Sequence, residues 1–572
     1  MQIQRALLAF TACFAVASAS SNSEKTTVNT AAAKAVAAME KSIATMSPNV
    51  PCASCHHNMM PLWAFATARQ HGVAIREELY RKVAVRTYSF FQEEDRAIQG
   101  TRFVDPPVEG ALQLGLARTV GVRGGFASVM HTARLARMQR DDGHFASFDA
   151  RPPASASKFM ATALSAKSIV EQLPVTLRGK SVEMARQWLQ RNSPQSTEDA
   201  TYRLLGLSWT EAPAKQIREA AAALVAMQEA SNGGWRQIAA RAEADAYATG
   251  EALYALQATG FGGKYAAEVR RGLEFLVRTQ AADGTWQVKT RVHEVAPVSP
   301  PYMETGFPYG KDQIVSMSGT TWALMALAMS LPAVKAEVPA VTEVNARVPQ
   351  WMVDVAFGSL DDVRKVDVNL VSEKGSTPLM VAMIDPVRAQ ILIDRGADVK
   401  ASARSGQTAL SVAATWKGSA DIMRRLVAKG ATAEVGPGVE FRSNPVIYAA
   451  YMNDVEAVRV LLDNGGSYQQ PMLLQGLVPM SPMLAAIATG STDVLREFLR
   501  RGADPNAVEN GIPLLSMAAI TDRPESAKVL IEAGADVLRK DRFEWTAFQH
   551  ARGMERDTTA MENVLRELKA AR

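Results

Sequence analysis

The 572-residue chain predicts an all-α protein in which two different helical repeat arrays follow one another. Three observations predict it. Through residues 26–331, Ala-, Leu-, Arg- and Gln-rich segments with 3.6-residue apolar spacing alternate with Gly, Pro and Asn breaks. Within them, MQRDDGHF (138–145), MQEASNGGW (227–235) and RTQAADGTW (278–286) repeat one pattern: Gln at a helix end, then Gly, then an aromatic. From about residue 349 the period changes. Gly396, Gly430, Gly465, Gly502 and Gly534 then recur at spacings of 34, 35, 37 and 32, each after an apolar helix end.

The amino terminus reads as a secretory signal over residues 1–19. Arg5 supplies the positive region, Ala6 to Val16 the apolar run, and Ala17-Ser18-Ala19 the small-residue cleavage site. The run is too short to span a bilayer, and no later segment is apolar enough to do so. Cleavage after about Ala19 implies a periplasmic or secreted protein. Cys13 falls inside the signal, where lipidation is a competing reading that its approach sequence supports poorly. A formal net charge of +5 with no dense Lys/Arg run argues against a nucleic-acid partner.

Removal of the signal leaves two cysteines, both in PCASCHHNMM (51–60). Cys52, Cys55 and His56 have the C-x-x-C-H spacing that attaches one covalent haem c. Two thiols at that spacing form thioethers to one porphyrin edge, and the adjacent imidazole reaches the iron as proximal ligand. Two readings compete. The cysteines could close a short disulfide in an oxidising compartment. Alternatively Cys52, Cys55, His56 and His57 could take zinc, although four ligands in six residues surround one ion poorly. A distal iron ligand must come from elsewhere, and Met303 ranks first, then His293, then His144.

The Q-x-x-D-G-x-W turns resemble those of the squalene–hopene cyclase and prenyltransferase superfamily. More narrowly, CASCHHNMMPLWAFA, DGHFASFDARPP, DAYATGEALYAL and PYMETGFPYGKDQ resemble a group of exported bacterial proteins with a cyclase-like toroid, a C-x-x-C-H motif and, in some, ankyrin repeats. The resemblance implies an (α/α)6 toroid of about twelve helices over 26–331. The segments lie near 29–46, 59–71, 76–97, 108–119, 124–139, 155–172, 178–192, 197–210, 213–229, 243–260, 264–280 and 315–331. Cyclase chemistry is not expected to carry over. Glu243-Ala244-Asp245-Ala246 lacks the adjacent carboxylates of the D-x-D-D acid, and no cysteine remains for a prenyltransferase zinc set. Phe145, Trp235 and Trp286 are expected to pack between helices, and Asp245 to cap its own.

With even-numbered helices inside, the outer-to-inner turns open at one end. That end would gather the haem motif, His144, Arg151, Glu198, Asp199, Asp245, Tyr247 and the 287–314 loop with His293, Met303 and Asp312. Arg151, Asp245, Tyr247 and Asp312 are its candidate pocket residues.

Residues 332–348 form a Pro/Val/Ala linker. STPLMVA, QTALSVAA, NPVIYAAY, SPMLAAIA and IPLLSMAA then match the T-P-L-x-x-A start of an ankyrin repeat, predicting six or seven repeats over 349–572 as a separable protein-binding solenoid. The expected function is that of a periplasmic monohaem cytochrome-like electron carrier with a redox partner and a protein partner docked on the repeats. A haem-dependent enzyme or ligand sensor, and a haem-free scaffold with a Cys52–Cys55 disulfide, are the alternatives.

Overall fold

The computed structural model describes residues 25–46, 55–101, 106–147, 152–153, 157–241, 243–293, 305–336, 348–433, 444–474 and 478–570. The signal segment, Cys52, Arg151, Met303 and most of the linker lie outside them, as do the side chains of Cys55 and His56.

The repeated Gln–Gly pattern has a definite physical job. Gln139 donates from Nε2 to Gly143 O within its own turn and to Ser181 O, at 2.8 and 2.9 Å. Gln228 bridges Gly233 O and Glu268 O in the same way, and Gln280 bridges Gly284 O and Ala31 O. Each amide therefore closes its turn and ties it to another outer helix. The glycines are required twice over. Gly143, Gly233 and Gly284 all have positive φ. A Cβ on them would also meet the backbone oxygens of Met184, Arg271 and Lys34 at 2.3, 2.7 and 2.4 Å.

Behind these turns run helices with apolar residues on every side. Met60–Gln70 packs on Gln313–Met329, that helix on Ala246–Ala258, and so on through Thr197–Trp209, Lys158–Gln172 and Ala111–Leu116, which reaches the wide turn Cys55–Met59. The more amphipathic helices Glu77–Tyr88, Phe126–Arg137, Ser181–Arg191, Ala214–Val225 and Ala266–Thr279 lie outside, as does 25–46. The expected helix 76–97 breaks at Ser89–Phe91 and resumes as Glu94–Gln99. Phe145, Trp235 and Trp286 are buried as expected, and the two indoles donate to Leu224 O and Leu276 O.

The second half is a stack of seven helix pairs among the described residues, from Gln350–Phe357 with Leu360–Lys365 to Ala547–Gly553 with Thr559–Ala570. Thr377, Thr408, Ser481 and Thr546 cap the first helix of their pairs. All five period glycines have positive φ. Asp398, Asp504 and Asp536 accept the backbone N–H two residues on, closing the turns. Two small hairpins, Met472–Leu474 with Val478–Met480 and Val508–Glu509 with Ile512–Pro513, add strands that the periodicity does not predict.

The linker predicts a separable solenoid, and the structure packs that solenoid against the first half. It lies along the first half and shares one continuous apolar core with it. Arg134 is buried there, donating to Ala97 O, Ile98 O and Thr415 Oγ1, with its guanidinium 4.7 Å from the Trp416 ring. Arg140 reaches Tyr451 O, Thr489 O and Ser491 Oγ. Tyr448 and Tyr451 donate back to Gly100 O and Ala146 O. Arg134→Ala should therefore destabilise the whole chain by about 3 kcal/mol, because it strands buried acceptors on both halves. Urea unfolding of the full chain checks this, and a loss below about 0.5 kcal/mol would show that the arginine does not join the halves.

Candidate functional site

Three inner helices present capped amino termini at the end where the Gln–Gly turns lie. Ser157 accepts from Met160 N, Ser196 from Asp199 N, and Asp245 from Ala248 N. Asp245 is thus a cap, as its position implies, and its second oxygen accepts from Gln237 Nε2 at 2.6 Å. Capping fixes where the next polar side chains on each helix point.

Behind the caps is a buried polar group. Tyr247 donates from its hydroxyl to Glu198 Oε1 at 2.8 Å. One turn further along the same two helices stand Glu251 and Tyr202, both buried. Glu251 Oε2 and the Tyr202 hydroxyl have no hydrogen-bond partner among the described residues. Burial, reinforced by the charges of Glu198, Asp245 and Asp199, holds the Glu251 carboxyl well above the usual range. Burial likewise pushes the Tyr202 and Tyr247 phenols well up. A carboxyl whose pKa is raised beside a second buried carboxyl can give and take a proton, but among the described residues no cluster of His, Cys, Asp or Glu could hold a metal ion. Deeper still, Trp63, Tyr254, Trp322 and Tyr202 meet at centroid distances of 5.1–6.4 Å.

In front of the caps lies a cleft of about 670 Å³ between the two halves. Glu198 and Asp199 line it from one side, Arg523 and Arg556 of the solenoid from the other, and Arg291 lies in the loop between. The loop is pinned by Arg291 N and Thr290 Oγ1 donating to Pro152 O, and by Thr290 N donating to Asp312 Oδ1 at 3.0 Å.

The expected pocket residues separate. Tyr247 and Asp245 belong to this group, and Asp312 supports the loop, while Arg151 lies outside the described residues. His144 pairs with Asp142 at 2.6 Å beside Trp188. His293 is taken up by the solenoid. It stacks on Trp545 at 4.7 Å, and its Nε2 lies 3.1 Å from Nδ1 of His550, whose Nε2 is 2.8 Å from Asp541. As placed, its ring serves the last repeat and is not held out as an iron ligand. Near the haem motif, His57, Asn58, Met59 and Met60 are buried, with the His57 ring edge-on to Phe307.

Tyr202, Glu251 and Arg291 escape a reading by motif. A signal for two of them is present all the same: EDATY and YATGE each set an acid and a tyrosine four apart, on one face of a helix apolar all round.

The His293–His550–Asp541 chain predicts a pH response. Burial and the neighbouring His550 hold His293 down at about 4, and burial also lowers His550. A depressed histidine pKa contributes stability in full above the unfolded value of about 6.5 and loses it as pH falls through the folded value. Full-chain stability should thus fall between pH 6.5 and 4 by roughly 1–2 kcal/mol more in wild type than in His293→Ala, after allowance for the ring's partial exposure. Parallel urea-unfolding profiles over that window would refute the coupling.

Residues 352–436, 388–472 and 446–541 match the family model of ankyrin repeats in three copies. The chain is 30% identical over 173 residues to ankyrin repeat and KH domain-containing protein mask-1 of Caenorhabditis elegans, covering 29% of this chain and 6% of that protein. It is 23% identical over 218 residues to the E3 ubiquitin-protein ligase KEG of Arabidopsis thaliana, covering 35% of this chain and 13% of that one. The chain thus spans a small fraction of either relative. The solved human ASB11 ankyrin repeat domain superposes with a TM-score of 0.34 at 22% identity, over 39% of this chain and 98% of that one. The ankyrin repeat domain of Bcl-3 gives 0.30 at 21% identity, over 38% and 99%. The second half of the chain is an array of ankyrin repeats, a protein–protein interaction architecture.

Proposed function

We propose that the chain is an exported, periplasmic electron carrier with one haem c attached through Cys52 and Cys55, and His56 as proximal ligand. The observation that carries the proposal is the C-x-x-C-H donor set itself, followed directly by a helix whose residues Met59 to Ala68 are buried. Two thiols and an imidazole at this spacing fit a haem, and the group when bound supplies a one-electron iron couple. The chain's own part is to hold it. Cys55 and His56 open a helical turn packed against Gln313–Met329, which would hold the backbone of the attachment motif in place for a haem. Met303 is the proposed distal ligand. The first half is proposed to be a closed (α/α)6 toroid, a reading supported by Gln280, whose amide joins the last turn to the first helix at Ala31. The ankyrin solenoid gives the carrier a protein-docking surface in addition to its redox partner.

A haem-dependent enzyme or ligand sensor is the second reading, favoured by the cleft and by the buried carboxyl of Glu251, whose pKa burial raises. An electron carrier keeps both axial positions filled by protein, so slow or absent carbon monoxide binding to the reduced form supports the first reading and a rapid spectral shift the second. Co-expressed with haem-maturation machinery, the exported protein should stain for covalent haem on a denaturing gel. Cys52→Ala with Cys55→Ala should abolish the stain while helical circular dichroism persists, since the apolar core surrounds the helices independently of the motif. Wild-type protein without Soret and α bands would end the proposal. Met303→Ala should lower the reduction potential and remove the near-infrared charge-transfer band. If both are unchanged, Met303 is not the ligand.

A further inference from the structure

We propose that His293 is an acid-released latch: its protonation parts the last ankyrin repeat from the helical half and opens the cleft between them. The latch stands apart from the haem motif and does not depend on it.

The contact is closely built. The His293 ring stacks on Trp545 with centroids 4.7 Å apart and an interplanar angle of 22°. Gly553 closes over both rings, where a Cβ would lie 2.9 Å from Trp545 Cζ3 and 3.0 Å from His293 Cδ2. Behind the stack, hydrogen bonds fix where every proton sits. A carboxylate only accepts, so His550 carries its proton on Nε2, 2.8 Å from Asp541 Oδ2, and keeps a lone pair on Nδ1. That lone pair takes the Nε2–H of His293 at 3.1 Å. The lone pair of His293 then falls on Nδ1, which is buried without a partner among the described residues.

The next proton has one place to go. Each of the other three ring nitrogens already carries or receives a hydrogen, so acid protonates His293 at Nδ1. The new N–H finds no acceptor there, and a buried donor left unmatched is costly. The surrounding charges add to that cost. His550 lies against the ring and Arg556 is also near, while Asp541 attracts only from beyond His550. Glu555 offers little relief, because its carboxylate pairs with Arg241. Burial and then His550 accordingly hold His293 down at about 4. Parting removes both costs, since the freed imidazolium meets water.

Other ties between the loop and the repeat are slight among the described residues. Glu555 N donates to Arg291 O at 3.4 Å, Arg291 Nη1 donates to Glu555 O at 3.2 Å, and Arg241 pairs with Glu555. Val292 packs on a small cluster of Ile512, Ile520 and Met554 that is separate from the main core. Arg291 lines the cleft from the loop and Arg556 from the repeat, so their separation opens it.

Hydrogen exchange of the full-length chain, corrected for the intrinsic rate at each pH, tests the latch. Between about pH 7 and about pH 4.5, amides of 289–293 and 545–556 should lose at least about tenfold in protection. A shift from about 6.5 to about 4 allows roughly 80-fold. Amides of Thr197–Trp209 and Val455–Asp463 should keep theirs. His293→Gln, whose amide still donates to His550 but does not titrate, should hold its protection at both pH values. Undiminished protection in wild type, an equal loss in wild type and His293→Gln, or a uniform loss along the whole chain overturns the proposal. The regional pattern in wild type decides the matter if the variant does not fold.

Discussion

A glutamine amide that bonds two carbonyls at once sets the geometry on which the rest depends. Gln139, Gln228 and Gln280 each close a turn at the end of an outer helix and fasten it to the start of another. An amide has two donor hydrogens, so one side chain can satisfy both a turn and a helix start without exposing either. The glycine four or five residues on makes the approach possible, since any Cβ would collide with the facing backbone. Every capped inner helix, and therefore Glu198, Tyr247 and Glu251, takes its position from that seam.

The second constraint is the seam between the halves. Arginines cross it: Arg134 donates to Thr415 Oγ1, Arg140 to Tyr451 O and Thr489 O, and Arg523 to Ser147 O. Arginine suits this work because its planar fork can address several acceptors at once while staying charged in a poorly solvated place. Arg134 and Arg140 are nonetheless lowered to about 10 by burial in the seam. Repeats commonly offer such a surface to another protein. Here part of it is spent on the chain itself, so a docked partner must use the remaining surface.

These two seams differ in how far the sequence reveals them. The Gln–Gly turns repeat, and repetition is visible without coordinates. The period glycines, the capping aspartates at 245, 398, 504 and 536, and the packing role of Phe145, Trp235 and Trp286 follow from local geometry that any copy must obey. The helix break near Ser89–Phe91 does not, because no glycine or proline marks it. The inter-half arginines are equally silent. Arg134 and Arg140 sit in ordinary amphipathic surroundings, and only the approach of a distant repeat turns them inward. His293 shows the same effect: isolated in its loop it reads as a free ligand, whereas Trp545 and His550 claim it once the last repeat is in place. Local rules are written locally, and contacts across several hundred residues are not.

That distance gives the cleft its particular character. One wall belongs to the helical half, with Glu198, Asp199 and Phe159, and the other to the repeats, with Arg523 and Arg556. Any molecule held by both walls binds the closed arrangement and not the separated halves, so its binding free energy adds to the seam. The reverse holds by reciprocity: a partner that pulled the last repeats aside would weaken the ligand by the same factor. Arg291, bonded to Pro152 on one side and to Glu555 on the other, stands at the point where those two equilibria meet.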